Sequence, residues 1–169
     1  MAIIKSFNGL SPQLGSSCFV AENATIIGDV TAGNNCSFWY GSVLRGDAGA
    51  IVIGNNVNIQ DGAVIHCSTG ISTTKIGDNV TIGHNAIVHG ATISSNTLIG
   101  MGATILDNAT VGSNCIVAAN ALVLSGAVLE PGFVYAGVPA KKVKTVANTS
   151  MIEEAAKSYV ELKNRYLGF

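Results

Sequence analysis

The chain of 169 residues has three histidines, His66, His84 and His89, and all fall within 24 residues of one another. Three neutral imidazoles with one position left open are the donor set of a catalytic zinc site, and Fe2+ or Co2+ accept the same ligands. Polar residues of unusual type stand close by in sequence. Arg45-Gly46-Asp47 lies upstream, and Asn58, Gln60 and Asp61 lie just before His66. Each of these taken alone reads equally as solvated surface, since most surface charges do nothing specific. Beside three clustered histidines that bland reading weakens. Cys67 follows His66 directly, but a thiolate ligand would occupy the position that a water needs.

An outward-facing donor set needs a wall to stand on, and the wall is written as a repeat. Aliphatic residues recur every six positions through Leu14, Val20, Ile26, Ala32, Phe38 and Leu44. The series resumes at Ile53, Ile59 and Ile65, again at Ile76, Ile82 and Val88, and then runs from Ile93 to Tyr135. A second ladder of small residues sits two positions earlier and includes Cys36 and Cys115, with Cys18 in the same place, so these thiols read as core fillers. Two apolar positions separated by one residue make a short strand with both side chains inward. Three after the aliphatic rung, from Asn56 to Gly132, eleven of twelve residues are Asn or Gly, the exception being Ser68. These residues accept positive φ at low cost, so a corner recurs every six residues. Strand, corner, strand, corner winds a parallel β-helix, and three strands per coil give six to seven coils, roughly 30 Å of stacked strands.

Three gaps break the step: nine residues from Leu44 to Ile53, eleven from Ile65 to Ile76, and five from Val88 to Ile93. Loops leave a solenoid wall at such places. His66 follows Ile65 and His89 follows Val88, so alternation turns both outward, and His84 sits at a corner. Outward ligands on a smooth wall close a shell most easily with a residue from a neighbouring prism, which implies a site shared within a cyclic oligomer. The β-helix is expected over residues 1–142. Ser150 to Glu153 reads as a capping box, and residues 149–167 as an amphipathic helix that packs on the prism and ends at Gly168.

Composition narrows the function classes. Lys+Arg is 9 and Asp+Glu is 10, for a net charge of −1, which excludes a basic nucleic-acid footprint. Hydrophobic residues make up 48%, so general disorder is excluded. Charged residues are only 11%, so a large share of the surface must be hidden by self-association. No apolar run reaches the roughly 18 residues of a spanning helix. Met1 to Leu14 does not read as a signal peptide, and four cysteines without one imply reduced thiols in the cytoplasm.

Arg45-Gly46-Asp47, then Gln60-Asp61 with His66 five residues on, then Gly83-His-Asn-Ala-Ile-Val-His-Gly90, resemble in order the motifs of γ-class carbonic anhydrase-like proteins. Gly137-Val-Pro-Ala-Lys141 resembles the tail of their small bacterial members. The resemblance implies an all-β, left-handed parallel β-helix of hexapeptide repeats. It implies a homotrimer with metal, expected as zinc, at each subunit interface. His66 and His89 would come from one protomer and His84 from its neighbour. Gln60 would hydrogen-bond the metal-bound water, with Tyr135 as a second catalytic group. Arg45 and Asp47, supported by Asp61 and Asn58, would hold the trimer and order the site. The implied reaction is reversible hydration of CO2 to bicarbonate. Two departures stand out: Ala48 replaces a glutamate of the family's prototype, and the stretch from Cys67 to Lys75 carries no carboxylate. The alternatives are therefore a metal-binding relative with weak or no anhydrase activity, serving as a thioester hydrolase or assembly scaffold, and a hexapeptide acyltransferase.

Overall fold

The computed structural model describes residues 1–168. They form a left-handed parallel β-helix of about seven turns, followed by one α-helix. Most strands are two or three residues long. Such strands cannot stand alone, because an isolated short pair is marginal in water. Each is instead paired with the strand one coil away. Phe19–Val20, Ser37–Phe38, Asn58–Ile59, Thr81–Ile82, Leu98–Ile99, Ile116–Val117 and Phe133–Ala136 stack in parallel as one wall. Lys141–Thr145 closes that wall in the antiparallel sense. The longer strands Thr25–Ala32 and Val43–Ile53 bend from one of the other two walls into the next, so those walls form one continuous sheet.

The aliphatic rungs are the core. Leu44, Ile65, Val88, Ile105 and Val123 are successive register partners up one wall, each 1% exposed or less. A side chain in such a stack is covered by the rung above and the rung below, so the apolar interior is continuous along the axis. All eleven Asn and Gly corners expected from the sequence have φ between 54° and 81°. Ser68 does not; there the chain leaves the wall and turns back at Gly70, φ 69°. Along one edge the corner amides bond to each other, with Asn56 Nδ2 donating to Asn79 Oδ1 (2.9 Å) and Asn79 Nδ2 to Asn96 Oδ1 (3.0 Å).

The helix, α1, spans Ser150–Leu167. The capping box expected at Ser150 does not form, because the helix starts one residue earlier. Thr149 is the N-cap residue, Asn148 Oδ1 accepts the Ser150 N–H at 2.6 Å, and the Thr149 hydroxyl donates to Glu153. At the other end Gly168, φ 83°, donates its N–H to the Arg165 and Asn164 carbonyls. Ile152 and Ala156 are buried against the prism. Tyr159 and Tyr166 set their rings edge-on to Trp39, with centroids 5.4 and 5.3 Å away. Edge-to-face pairs of this kind add about 0.5–1.5 kcal/mol each beyond area burial. Lys163, on the same face, is 1% exposed, which its charge did not foretell. Among the described residues, no helix is long and apolar enough to cross a membrane.

Candidate metal centre

The strand Val64–His66 lies beside Ile87–His89 in a register that makes His66 and His89 direct partners. The residues before them, Ile65 and Val88, are fully inside. Alternation therefore turns both imidazoles onto the same outer patch. His66 Nδ1 stands 3.2 Å from His89 Nε2. The rear nitrogens are held by carboxylates: His66 Nε2 by Asp47 Oδ1 and His89 Nδ1 by Asp107 Oδ1, both at 3.1 Å.

Burial works against the charge on Asp47, but hydrogen bonds from Arg45 and His66 outweigh it and hold the carboxyl below its ordinary pKa. Arg45 reaches both Asp47 oxygens at 2.8 Å within the same chain. Asp107 has the same balance: burial raises its pKa, and hydroxyls from Ser72 and Ser68, with His89, bring it down. An ionised carboxylate only accepts, so the hydrogens sit on the rear nitrogens of both rings. In the neutral rings the facing nitrogens are then two lone pairs, opposed at 3.2 Å. A cation between them resolves that opposition. Two imidazole nitrogens on a tetrahedral zinc, each 2.0–2.1 Å from it, stand about 3.3 Å apart. The donor pair fits a metal in chemistry and in spacing, and a carboxylate behind each ligand is the usual means of fixing its tautomer.

Two glycines let this patch close. A Cβ on Gly46, between Arg45 and Asp47, would strike the Asp29 carbonyl of the adjoining strand. A Cβ on Gly90, φ 61°, would strike Ser72 Oγ and Asp107 Oδ1.

His84 stands elsewhere. It lies at the corner after Thr81–Ile82, with Nδ1 2.9 Å from Asp61 Oδ2 and Nε2 3.5 Å from the Tyr159 hydroxyl of α1. His84 and Asn85, φ 56°, form the turn that the Ala86 N–H closes onto the Gly83 carbonyl at 3.1 Å, and only then does the chain enter the strand Ile87–His89, so His84 faces Asp61 and α1 while His89 faces His66. Among the described residues, no group of three His, Cys, Asp or Glu side chains suited to a metal forms within the chain. Gln60 is 6% exposed and Asn58 1%. Gln60 Oε1 accepts the His84 N–H at 3.2 Å, its amide donates to Asn58 Oδ1 at 3.0 Å, and Asn58 donates to Thr81 Oγ1 at 2.9 Å. This chain of amides anchors the His84 corner.

Tyr135 is not brought to the histidines. It is 4% exposed, inside the prism, and its hydroxyl donates to the Glu130 carbonyl at 3.2 Å. Its place on the inward ladder explains this. Cys67 is fully buried, with its thiol toward the Gly49 carbonyl at 3.4 Å. Two members of the site were not read from the sequence, Asp107 and Tyr159. Asp107 is 18 residues after His89, one coil, and that interval was the available signal. Burial, and then Asp61, push the Tyr159 hydroxyl pKa up.

The profile "Bacterial transferase hexapeptide (six repeats)" matches residues 90–125. "Gamma carbonic anhydrase 2, mitochondrial" of Arabidopsis thaliana is 42% identical over 159 residues, covering 90% of this chain and 57% of the relative. The chain thus spans little more than half of that relative's length. "Protein YrdA" of Escherichia coli is 32% identical, covering 98% of this chain and 94% of that one. The crystal structure of a hexapeptide transferase family protein from Anaplasma phagocytophilum superimposes with a TM-score of 0.93 at 38% identity, over 97% of this chain and 98% of that chain. With its solenoid and its two carboxylate-backed histidines, the chain belongs to the γ-class carbonic anhydrase-like proteins of the hexapeptide-repeat superfamily.

Proposed function

We propose that the protein is a metal-dependent hydro-lyase that hydrates CO2 reversibly to bicarbonate, at sites shared between the subunits of a cytoplasmic homotrimer. The observation that carries this reading is the pair His66 Nδ1 and His89 Nε2, facing at 3.2 Å with a carboxylate behind each. His66 and His89 of one protomer and His84 of its neighbour would hold the cation. That His84 is held by Asp61 and Tyr159, and not by the pair, supports sharing, since a cyclic interface sets one patch of each subunit against a different patch of the next. Zinc, iron(II) or cobalt(II) bound there would lower the pKa of a water from 15.7 to about 7 and so supply a nucleophile at neutral pH. Asp47 and Asp107 fix the orientation and tautomer of the two rings, and Arg45 fixes Asp47. Asp61 orients His84. Gln60 has two amide hydrogens and gives one to Asn58, which leaves one to orient a water.

Proton export is the weak point of this site. Ala48 and the loop from Cys67 to Lys75 offer no carboxylate base. Turnover should therefore be modest and carried by external buffer. The test is stopped-flow CO2 hydration with protein purified anaerobically and assayed for metal. The expected result is a metal-loaded trimer whose rate rises with imidazole buffer concentration. A metal-loaded trimer with no hydration above the buffer blank would overturn the assignment.

A second reading rests on His84 and Asp61, whose pairing has the form of a general-base dyad for acyl transfer from a coenzyme A thioester. It gives His66 and His89 no role. Saturable binding of acetyl-coenzyme A by metal-free protein would favour it.

Asp107→Asn should weaken zinc binding about 10–100-fold, the usual cost of losing the group behind a metal-bound histidine. Competition with a chromogenic chelator measures it. An unchanged affinity would remove Asp107 from the site.

A further inference from the structure

Away from the histidines, the first coils hold two thiols that the proposed reaction does not use. Phe19–Val20 pairs with Ser37–Phe38 in parallel, with Phe19 opposite Ser37, which places Cys18 one coil from Cys36 on the same inward ladder. The Phe19 N–H donates to the Cys36 carbonyl at 2.9 Å, so the two residues are locked in register. Neighbouring strands lie about 4.8 Å apart, inside the 4.4–6.8 Å over which disulfides join Cα atoms. Both cysteines are free. Their surroundings differ. Cys18 is half-buried at the open end of the prism, whereas Cys36 is 0% exposed, with its thiol toward the Gly54 carbonyl at 3.1 Å.

A buried cation stands by this pair. Lys163 on α1 is 1% exposed, and its ammonium donates to Asn164 Oδ1. Among the described residues no carboxylate pairs with it. A buried ammonium favours an anion nearby, and its field acts on Cys18. The Cys36 thiol beside it, against the opposing effect of burial and with the help of Lys163, lowers the Cys18 pKa to about 7. Contact with Cys18, and then burial, push Cys36 upward. One accessible, acidic thiol next to one buried, protonated thiol is the division of labour found in peroxide-reactive cysteine pairs.

We infer that Cys18 and Cys36 form a dithiol site for hydroperoxides, Cys18 attacking and Cys36 resolving. The Cys18 thiolate attacks a peroxide oxygen. The S–O bond forms, the O–O bond breaks, and hydroxide leaves and takes up the proton that the Cys18 thiol released on ionising, giving the first water. Sulfur is oxidised by two electrons and hydrogen peroxide is reduced to water. The Cys36 sulfur then attacks the Cys18 sulfenic acid. The S–S bond forms, the S–O bond breaks, and the leaving hydroxide takes the Cys36 proton as a second water. Two thiols and one peroxide give one disulfide and two waters.

The test treats the reduced, full-length protein with one equivalent of hydrogen peroxide. Loss of two of four titratable thiols and a single Cys18–Cys36 cross-linked peptide on non-reducing peptide mapping are expected. At pH 7, Cys18 should alkylate about threefold faster than a thiol of ordinary pKa, its higher thiolate fraction being largely offset by lower nucleophilicity. Its alkylation rate should be half-maximal near pH 7. Cys36→Ser should stop the reaction at a Cys18 sulfenic acid trapped by dimedone, and Cys67→Ser should leave the outcome unchanged. Retention of all four thiols in the wild type under peroxide that oxidises free glutathione would overturn the inference. So would a bond that joins other cysteines. Both outcomes are read on the native chain, so neither depends on a variant folding.

Discussion

A trimer assembled from one His84→Ala protomer and two His89→Ala protomers will bind about one third of the metal of the native trimer, because a shared site in a cyclic trimer draws on two neighbours. Each homogeneous variant alone will bind almost none, since two imidazoles without the third hold zinc poorly. The arithmetic follows from the geometry. His66 and His89 are register partners on one wall, and His84 stands at another corner, held by Asp61 and the amide chain through Gln60. A site that takes the His66–His89 pair from the His84→Ala protomer and His84 from a His89→Ala protomer is complete. The other two interfaces each lack His89. Were all three ligands drawn from a single protomer, mixing would restore nothing. Co-refolding the variants with zinc, isolating mixed trimers by two affinity tags and counting metal per trimer measures this. Mixed trimers without recovered metal would reject the shared arrangement.

Ile65→Ala will destabilise the fold by about 2–5 kcal/mol, the cost of emptying a fully buried aliphatic site. Ile65 is 0% exposed and sits between Leu44 and Val88 in the wall stack. A solenoid interior is poorly able to collapse into such a hole, because the rung spacing is fixed by backbone hydrogen bonds on both sides. Ile65→Val, which removes one methylene, should cost about 0.5–1.5 kcal/mol. Urea denaturation at fixed protomer concentration distinguishes the two, since subunit association also contributes to apparent stability. Equal midpoints for wild type and Ile65→Ala would mean that the rung does not bear on folding. The next residue is His66, so the variant should also lose metal affinity.

Much of the fold was legible because each local requirement repeats. The aliphatic rungs fix the inward face, and the Asn and Gly corners fix the turns; the one departing corner, Ser68, marks where the loop leaves the wall and supplies a hydroxyl to Asp107. The outward placement of His66 and His89 was legible for the same reason. Asp107 was not, although it lies one coil beyond His89. Insertions put 19 residues between Asp47 and His66 and 23 between His66 and His89, so the coil length is hidden until the final step of 18. Tyr159 and Lys163 depend on how α1 docks around the prism, which the helix's own periodicity does not specify. Tyr135 combines a motif position with an inward ladder position, and the ladder decides which way its side chain faces, toward the Glu130 carbonyl. Ser150 was likewise displaced as the cap: Thr149 takes the N-cap position and Asn148 Oδ1 accepts the Ser150 N–H.

The side chains gathered around the histidines begin at Arg45 and end at Asp107, apart from Tyr159, and α1 packs on Phe19–Val20, Ser37–Phe38, Asn58–Ile59 and Thr81–Ile82. The rungs from Val111 to Leu129 give no side chain to the histidine cluster and lie beyond the strands on which α1 chiefly packs. Their role is that of storeys in a tower: they determine how far the chain climbs before Lys141–Thr145 turns back and α1 descends. Because each storey touches only its neighbours, height is mechanically separate from the ground plan. A lineage of such chains can grow or shrink by whole storeys above Asp107 and keep its ligands in place, provided that the descending linker is adjusted by one strand spacing per storey.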